Sequence, residues 1–89
     1  MLHLETTPQF DRRLVAFIKG HPDLRERTMA LIDRLAASPF DLRNKTRKLG
    51  GKLRAFWGAN ITWSYRITFI IEEDRIVLIN VGPHDEVYR

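Results

Sequence analysis

The chain contains no cysteine. That removes disulfides, thiolate metal sites and a cysteine nucleophile together, and it fits a reducing compartment. Its three histidines, His3, His21 and His84, show no metal-ligand spacing, so no metal site is expected. No apolar run approaches the length needed to span a bilayer. The opening Met1-Leu2-His3-Leu4-Glu5 lacks the basic start and apolar run of a signal peptide. The expectation is a soluble, cytoplasmic protein with no membrane partner. There is no phosphate loop, dinucleotide fingerprint, zinc-protease motif or serine-hydrolase motif. Nucleotide-driven and metal-driven chemistry are therefore not expected, and neither is a small-molecule cofactor. Repeats, linkers and low-complexity segments are absent as well.

What is present is one domain's worth of chain. At 89 residues, the expectation is a single domain over 1–89. A hydrophobic content of 44% excludes disorder and permits a thin core, to which a binding partner would add stability. The formal charge is +4, and its distribution says more than its size. Residues 41–54 hold six basic residues (Arg43, Lys45, Arg47, Lys48, Lys52 and Arg54) against one acidic residue, Asp41. The rest of the chain holds nine basic and ten acidic residues, so the entire positive excess sits in this one segment. A local basic cluster points to an anionic partner. On composition alone, a solvated basic loop fits equally well.

Leu2 to Glu5 alternates apolar and polar and reads as a short first strand. Thr7 can cap a helix that Pro8 starts, with Phe10, Leu14, Phe17 and Ile18 forming its apolar stripe. Lys19-Gly20 ends it. His21-Pro22 restarts a second helix, striped by Leu24, Thr28, Leu31, Ile32 and Leu35 and ended by Ser38-Pro39. Asp41 to Gly51 reads as a loop that becomes a strand around Leu53. Gly58-Ala59-Asn60 is turn chemistry. From Ile61 to Ile71, apolar residues occupy every odd position, with Thr62, Ser64, Arg66 and Thr68 between them. This predicts one buried face and one presented polar face, with Trp63, Tyr65 and Phe69 in the core. Glu72-Glu73-Asp74 turns the chain into a last strand, Arg75 to Val81. The expected fold is α+β: an N-terminal strand, a helical hairpin and a three-stranded antiparallel meander, with the helices on one face of the sheet.

Two residues carry chemistry on their own terms. Arg66, between Ser64 and Thr68, points to the open face, where a guanidinium can make paired hydrogen bonds to phosphate. His84 follows Gly82-Pro83 and precedes Asp85, and its imidazole titrates near neutral pH. Each is also compatible with an ordinary surface role. His3 and His21 read as structural or incidental. Phe56 and Tyr88 can either stack on a base or cover the sheet edge, with covering preferred for Phe56.

Taken in order, KTRKLGGKLRAFW (from Lys45), ITWSYRITFII (from Ile61) and VLINVGPHDEVYR (from Val77) resemble the RelE/ParE toxin superfamily. The likeness is nearest to its RelE/StbE and YafQ-like mRNA interferases of type II toxin–antitoxin systems. The resemblance covers essentially the whole chain, and its motifs are individually weak but specific in sequence order. It implies a RelE-like fold and a ribosome-dependent endoribonuclease that inhibits translation. Such an enzyme cuts without metal, through attack of the ribose 2′-hydroxyl on the adjacent phosphate. It also implies a cognate acidic antitoxin, with the ribosome and mRNA as further partners, and a plasmid-stabilisation setting. By the resemblance, His84 is the acid/base candidate, Arg66 stabilises the phosphate and Tyr88 orients or stacks a base. Lys48, Lys52 and Arg54 hold the RNA backbone, alongside Arg43, Lys45 and Arg47 from the same basic stretch.

The chain departs from the family pattern at three positions. Arg47 stands where relatives often carry histidine, Ser64 where many carry an acidic residue, and Pro83 where threonine is usual. Arg47 can bind phosphate but cannot act as a neutral base near pH 7. Two other readings stay open. One is a ParE-like toxin that inhibits DNA gyrase and cuts nothing. The other is a catalytically degenerate module that binds an antitoxin or RNA.

Overall fold

The first helix starts where the sequence supplies a cap. Thr7 is extended, and its side chain accepts the Phe10 N–H at 3.0 Å, with Pro8 in the first turn. These details come from a computed structural model that describes residues 2–50 and 55–84. Helix α1 spans Pro8–Gly20. A single 3₁₀ turn, Pro22–Leu24, leads into α2, Arg25–Ala37. The strands are β1 (His3–Thr6), β2 (Arg47–Lys48), β3 (Trp57–Asn60), β4 (Tyr65–Glu72) and β5 (Arg75–Pro83). They form one sheet in the order β1-β5-β4-β3-β2. Every pairing is antiparallel except β1 with β5, which is parallel. The long excursion through both helices supplies the crossover that a parallel pair needs.

The fold is α+β, with a helical hairpin on one face of the sheet, as expected. Phe10 and Phe17 of α1 and Leu31 and Leu35 of α2 pack against Ile67, Phe69, Ile76 and Leu78. No helix among the described residues is long and apolar enough to cross a membrane.

Three details differ from the sequence reading. The sheet has five strands rather than the four of an N-terminal strand and a three-stranded meander, because β2 adds an edge. The expected strand around Leu53 lies outside the described residues. Gly58-Ala59-Asn60 is strand, paired with Arg66 to Thr68, and the turn falls on Ile61 to Ser64, where the Ile61 N–H bonds the Tyr65 carbonyl at 2.9 Å. Trp63 thus rides on a turn and is 90% exposed, not in the core, whereas Phe69 is fully buried and Tyr65 half-buried.

The last strand changes phase. Ile76 and Leu78 face the core at even positions, then Val81 does so at an odd one. Between them Thr68 pairs with Asn80 but Phe69 pairs with Leu78, so Ile79 is an extra residue, a β-bulge. Thr7 secures it: its hydroxyl donates to the Ile79 carbonyl at 3.5 Å, and its N–H donates to the Leu78 carbonyl at 3.3 Å. The cap of α1 and the bulge of β5 are one structure.

Candidate nucleic-acid interface

Strand β4 alternates, so its even residues leave the helical side. Cross-strand pairing sets their neighbours on the open face: Asn60 and Gly82 beside Arg66, Gly58 and Asn80 beside Thr68, and Arg47 beyond Gly58 at the edge. The expectation that this polar face is presented to solvent needs correction. Arg66 is only 3% exposed and Thr68 1%. Arg66 lies down on the sheet over Gly58, because a Cβ there would sit 2.6 Å from its Cδ and 3.0 Å from its Nε. Glycine is required at 58 for this approach rather than for a turn.

Burial costs the Arg66 guanidinium its water, and this desolvation pulls its pKa down, with the positive Arg47 nearby adding to the effect. An arginine still holds its proton under these conditions. Two acceptors on the same floor, Asn60 Oδ1 and Thr68 Oγ1, are buried without a hydrogen-bond partner.

His84 extends the ladder past β5. Its N–H donates to the Ser64 carbonyl at 3.2 Å, one position beyond the Tyr65–Pro83 pair. It lies two residues past Gly82, the cross-strand neighbour of Arg66, which is about 7 Å along a strand. Arg66 and His84 thus come to one end of the sheet. Tyr88, Lys52 and Arg54 lie outside the described residues.

The rest of the basic stretch divides. Arg43 and Lys45 sit in a tight loop, Arg47 and Lys48 on β2. Lys48 turns away from Arg47, with its Nζ 5.5 Å from the centre of the Trp57 ring. Arg43 makes a paired bond to Asp41, at 3.1 and 2.8 Å, which holds the Asp41 carboxyl down at about 2. The loop is built around Asn44, which is fully buried. Its amide donates to the Ser38 carbonyl at 3.1 Å, and its oxygen accepts from Arg34 Nε at 2.8 Å. Lys45 then takes a left-handed backbone (φ 52°), and Thr46 donates to the Pro39 carbonyl at 2.6 Å.

The loop closes one wall of a cavity of about 640 Å³. Arg27, Arg34, Arg43, Lys45, Arg47 and Trp63 line it, with Asn60 where it meets the open face. Sequence reasoning missed the contribution of α2. The signal was there: Arg27 and Arg34 are seven residues apart, two helical turns, and so share one face beside the apolar stripe. It missed Trp63 because an odd position in a long alternation looks like core. His21, read as structural or incidental, is structural: its Nδ1 donates to the Phe17 carbonyl at 3.1 Å, which leaves Nε2 to accept the Tyr65 hydroxyl at 2.9 Å. Among the described residues, no three His, Asp or Glu side chains are grouped to hold a metal ion.

A scan against protein-family models finds no match, and a search of curated proteins finds none either. Solved structures do match. YafQ from E. coli strain BL21(DE3) has a TM-score of 0.85 at 14% identity, covering 100% of both chains. In the E. coli DinJ–YafQ complex the TM-score is 0.74, again at 14% identity and with both chains fully covered. A YoeB/ParE toxin from Agrobacterium tumefaciens gives 0.80 at 20% identity, covering 93% of this chain and 99% of that one. A metal-bound toxin from Helicobacter pylori gives 0.81 at 27%, covering 98% and 99%. The arrangement of helices and sheet is therefore that of a small α+β bacterial toxin. More closely, it is the fold of YafQ and of the YoeB/ParE toxin.

Proposed function

We propose that this chain is the toxin of a type II toxin–antitoxin system and acts as a ribosome-dependent mRNA endonuclease. The observation that carries the reading is Arg66, a buried cation beside Arg47 on the open face, with the backbone of His84 at the same end of the sheet. In-line attack of a ribose 2′-hydroxyl on the adjacent phosphorus forms a P–O2′ bond and breaks the P–O5′ bond. The products are a 2′,3′-cyclic phosphate and a 5′-hydroxyl. One proton leaves the 2′-oxygen and one must reach the 5′-oxygen. His84 is suited to this proton transfer, and Arg66 to the extra negative charge on the pentavalent phosphate. Arg43, Lys45, Arg47 and Lys48 supply backbone contacts, Lys52 and Arg54 join them as family-based assignments, and on the same basis Tyr88 orients or stacks a base.

A cognate acidic antitoxin is the second part of the proposal. The YafQ relative is solved in a complex with DinJ, and the confined positive charge of residues 43–54 suits an acidic wrapping segment.

Expression of the chain in a bacterium should arrest growth, and His84→Ala should relieve the arrest. Primer extension on translated mRNA should map new ends with ribosomes and none without them. Growth arrest that survives His84→Ala, with no new ends, would reject the nuclease. Inhibition of gyrase in a supercoiling assay would then favour the interaction reading.

A further inference from the structure

We propose that the cavity between α2, the Asp41–Thr46 loop and the β3–β4 turn is a second RNA subsite. It would hold the single-stranded backbone that flanks the reacting phosphate, with one unpaired base stacked on Trp63. The proposal rests on the RNA reading above, but Arg27, Arg34 and Trp63, which distinguish it, take no part in that reading.

The cavity's charge is one-sided. Arg27, Arg34, Arg43, Lys45 and Arg47 line it, and among the described residues only Arg43 has a carboxylate partner. Cations gathered this way repel one another, and a polyanion removes that repulsion while releasing its own counterions. At about 640 Å³ the cavity falls in the range of sites that take small organic ligands, so it has room for a nucleotide rather than for a bare ion alone.

Its cations are also positioned. Arg34 is tied through Nε to the buried Asn44, and that same residue anchors the loop whose left-handed turn at Lys45 presents the next cation. Less side-chain freedom is then left to lose on binding.

Trp63 decides between phosphate and carboxylate. An indole 90% exposed at the rim of a basic cavity offers a flat apolar face to water. An acidic peptide would use the cations and leave that face idle, whereas a nucleotide uses both, its phosphate on the cations and its base on the ring. The cavity is also continuous with the reacting face. Arg47 lines the cavity and perturbs Arg66, two strands or about 10 Å away across the sheet. Asn60, next to Arg66 on β3, is a wall of the cavity and carries one of the two unpartnered acceptors. A single strand can pass from one site to the other without leaving positive potential.

The test uses the full chain and a fluorescein-labelled single-stranded RNA of about ten nucleotides, within the usual site size for such binders. Binding is read by anisotropy and by tryptophan emission. Wild-type emission should fall on RNA addition, and Trp63→Phe should abolish the fall while half-buried Trp57 still emits. Trp63→Ala should weaken binding about 10-fold. Arg27→Gln with Lys45→Gln should lower the slope of log affinity against log salt by about 1.4. All three positions are exposed, and unchanged circular dichroism and melting will show that the variants fold.

Unchanged affinity, slope and emission in these variants would overturn the subsite. So would a polyglutamate peptide that changes Trp63 emission when RNA does not, since that identifies a protein partner. The nuclease reading fails separately. RNA that binds through Trp63 but is not cut on ribosomes rejects the nuclease and keeps the subsite. Cleavage that is indifferent to Arg27 and Trp63 does the reverse.

Discussion

Gly58 and Arg66 are coupled by a distance. A methyl group at 58 would come within 2.6 Å of Arg66 Cδ, so Gly58→Ala must move the arginine. The expected cost in stability is about 1–3 kcal/mol, read by urea unfolding. The larger effect should be on toxicity, and a variant that stays folded and fully toxic would remove Arg66 placement from the mechanism. Asp41 allows a second test at this scale. Its carboxyl is held at about 2 by hydrogen bonds from Arg43, against an ordinary 3.8. A depressed folded pKa stabilises fully above the ordinary value, and that contribution is lost as pH falls toward 2. Carboxyl NMR titration should find the midpoint near 2 in the wild type and displaced toward 3.8 in Arg43→Ala.

At the scale of elements, polar bonds lock neighbours that apolar packing alone would leave free to slide. The Tyr65 hydroxyl bonds His21 at 2.9 Å, and Phe17 stacks on the same imidazole with centroids 4.6 Å apart. This joins the end of α1 to the start of β4, where the Arg66–His84 end of the sheet begins. Tyr65→Phe should cost about 1 kcal/mol by thermal unfolding, and a neutral result would show the bond to be dispensable. Asn44 makes the equivalent lock for the basic loop. Asn44→Ala strands the Arg34 Nε and leaves the Ser38 carbonyl with the Asp41 N–H alone, so a loss of about 1–3 kcal/mol is expected. Hydrogen exchange should increase through residues 38–46 while β4 stays protected. The bulge at Ile79 belongs here too: it lets Leu78 and Val81 both face the core although they are three residues apart.

The whole molecule has little stability to spare. A chain of this length typically has a total of about 4–13 kcal/mol. Phe69→Ala, at a fully buried position of the central strand, should remove about 3–5 kcal/mol, a large share of that total. Co-expression with an acidic partner that binds only the folded form should restore part of that loss, which is readable as soluble yield and melting temperature. Equal yields with and without such a partner would argue against linkage between binding and folding.

The sequence by itself determined the class of fold and the location of the charge. Caps, helical stripes and strand alternation are local patterns with fixed periods, so Thr7, the stripes of α1 and α2, and the β4–β5 hairpin were all legible. The confined basic stretch was legible for the same reason. Only the tertiary structure decided which side chains share a surface. It made Gly58 a strand residue that admits Arg66, buried an arginine expected on an open face, and moved Trp63 from core to rim. It also gathered Arg27 and Arg34 with Lys45, Arg47 and the distant Trp63. These outcomes depend on register, on one bulge and on where a turn falls. A shift of one residue reverses every side chain that follows it, and no local pattern contains that information.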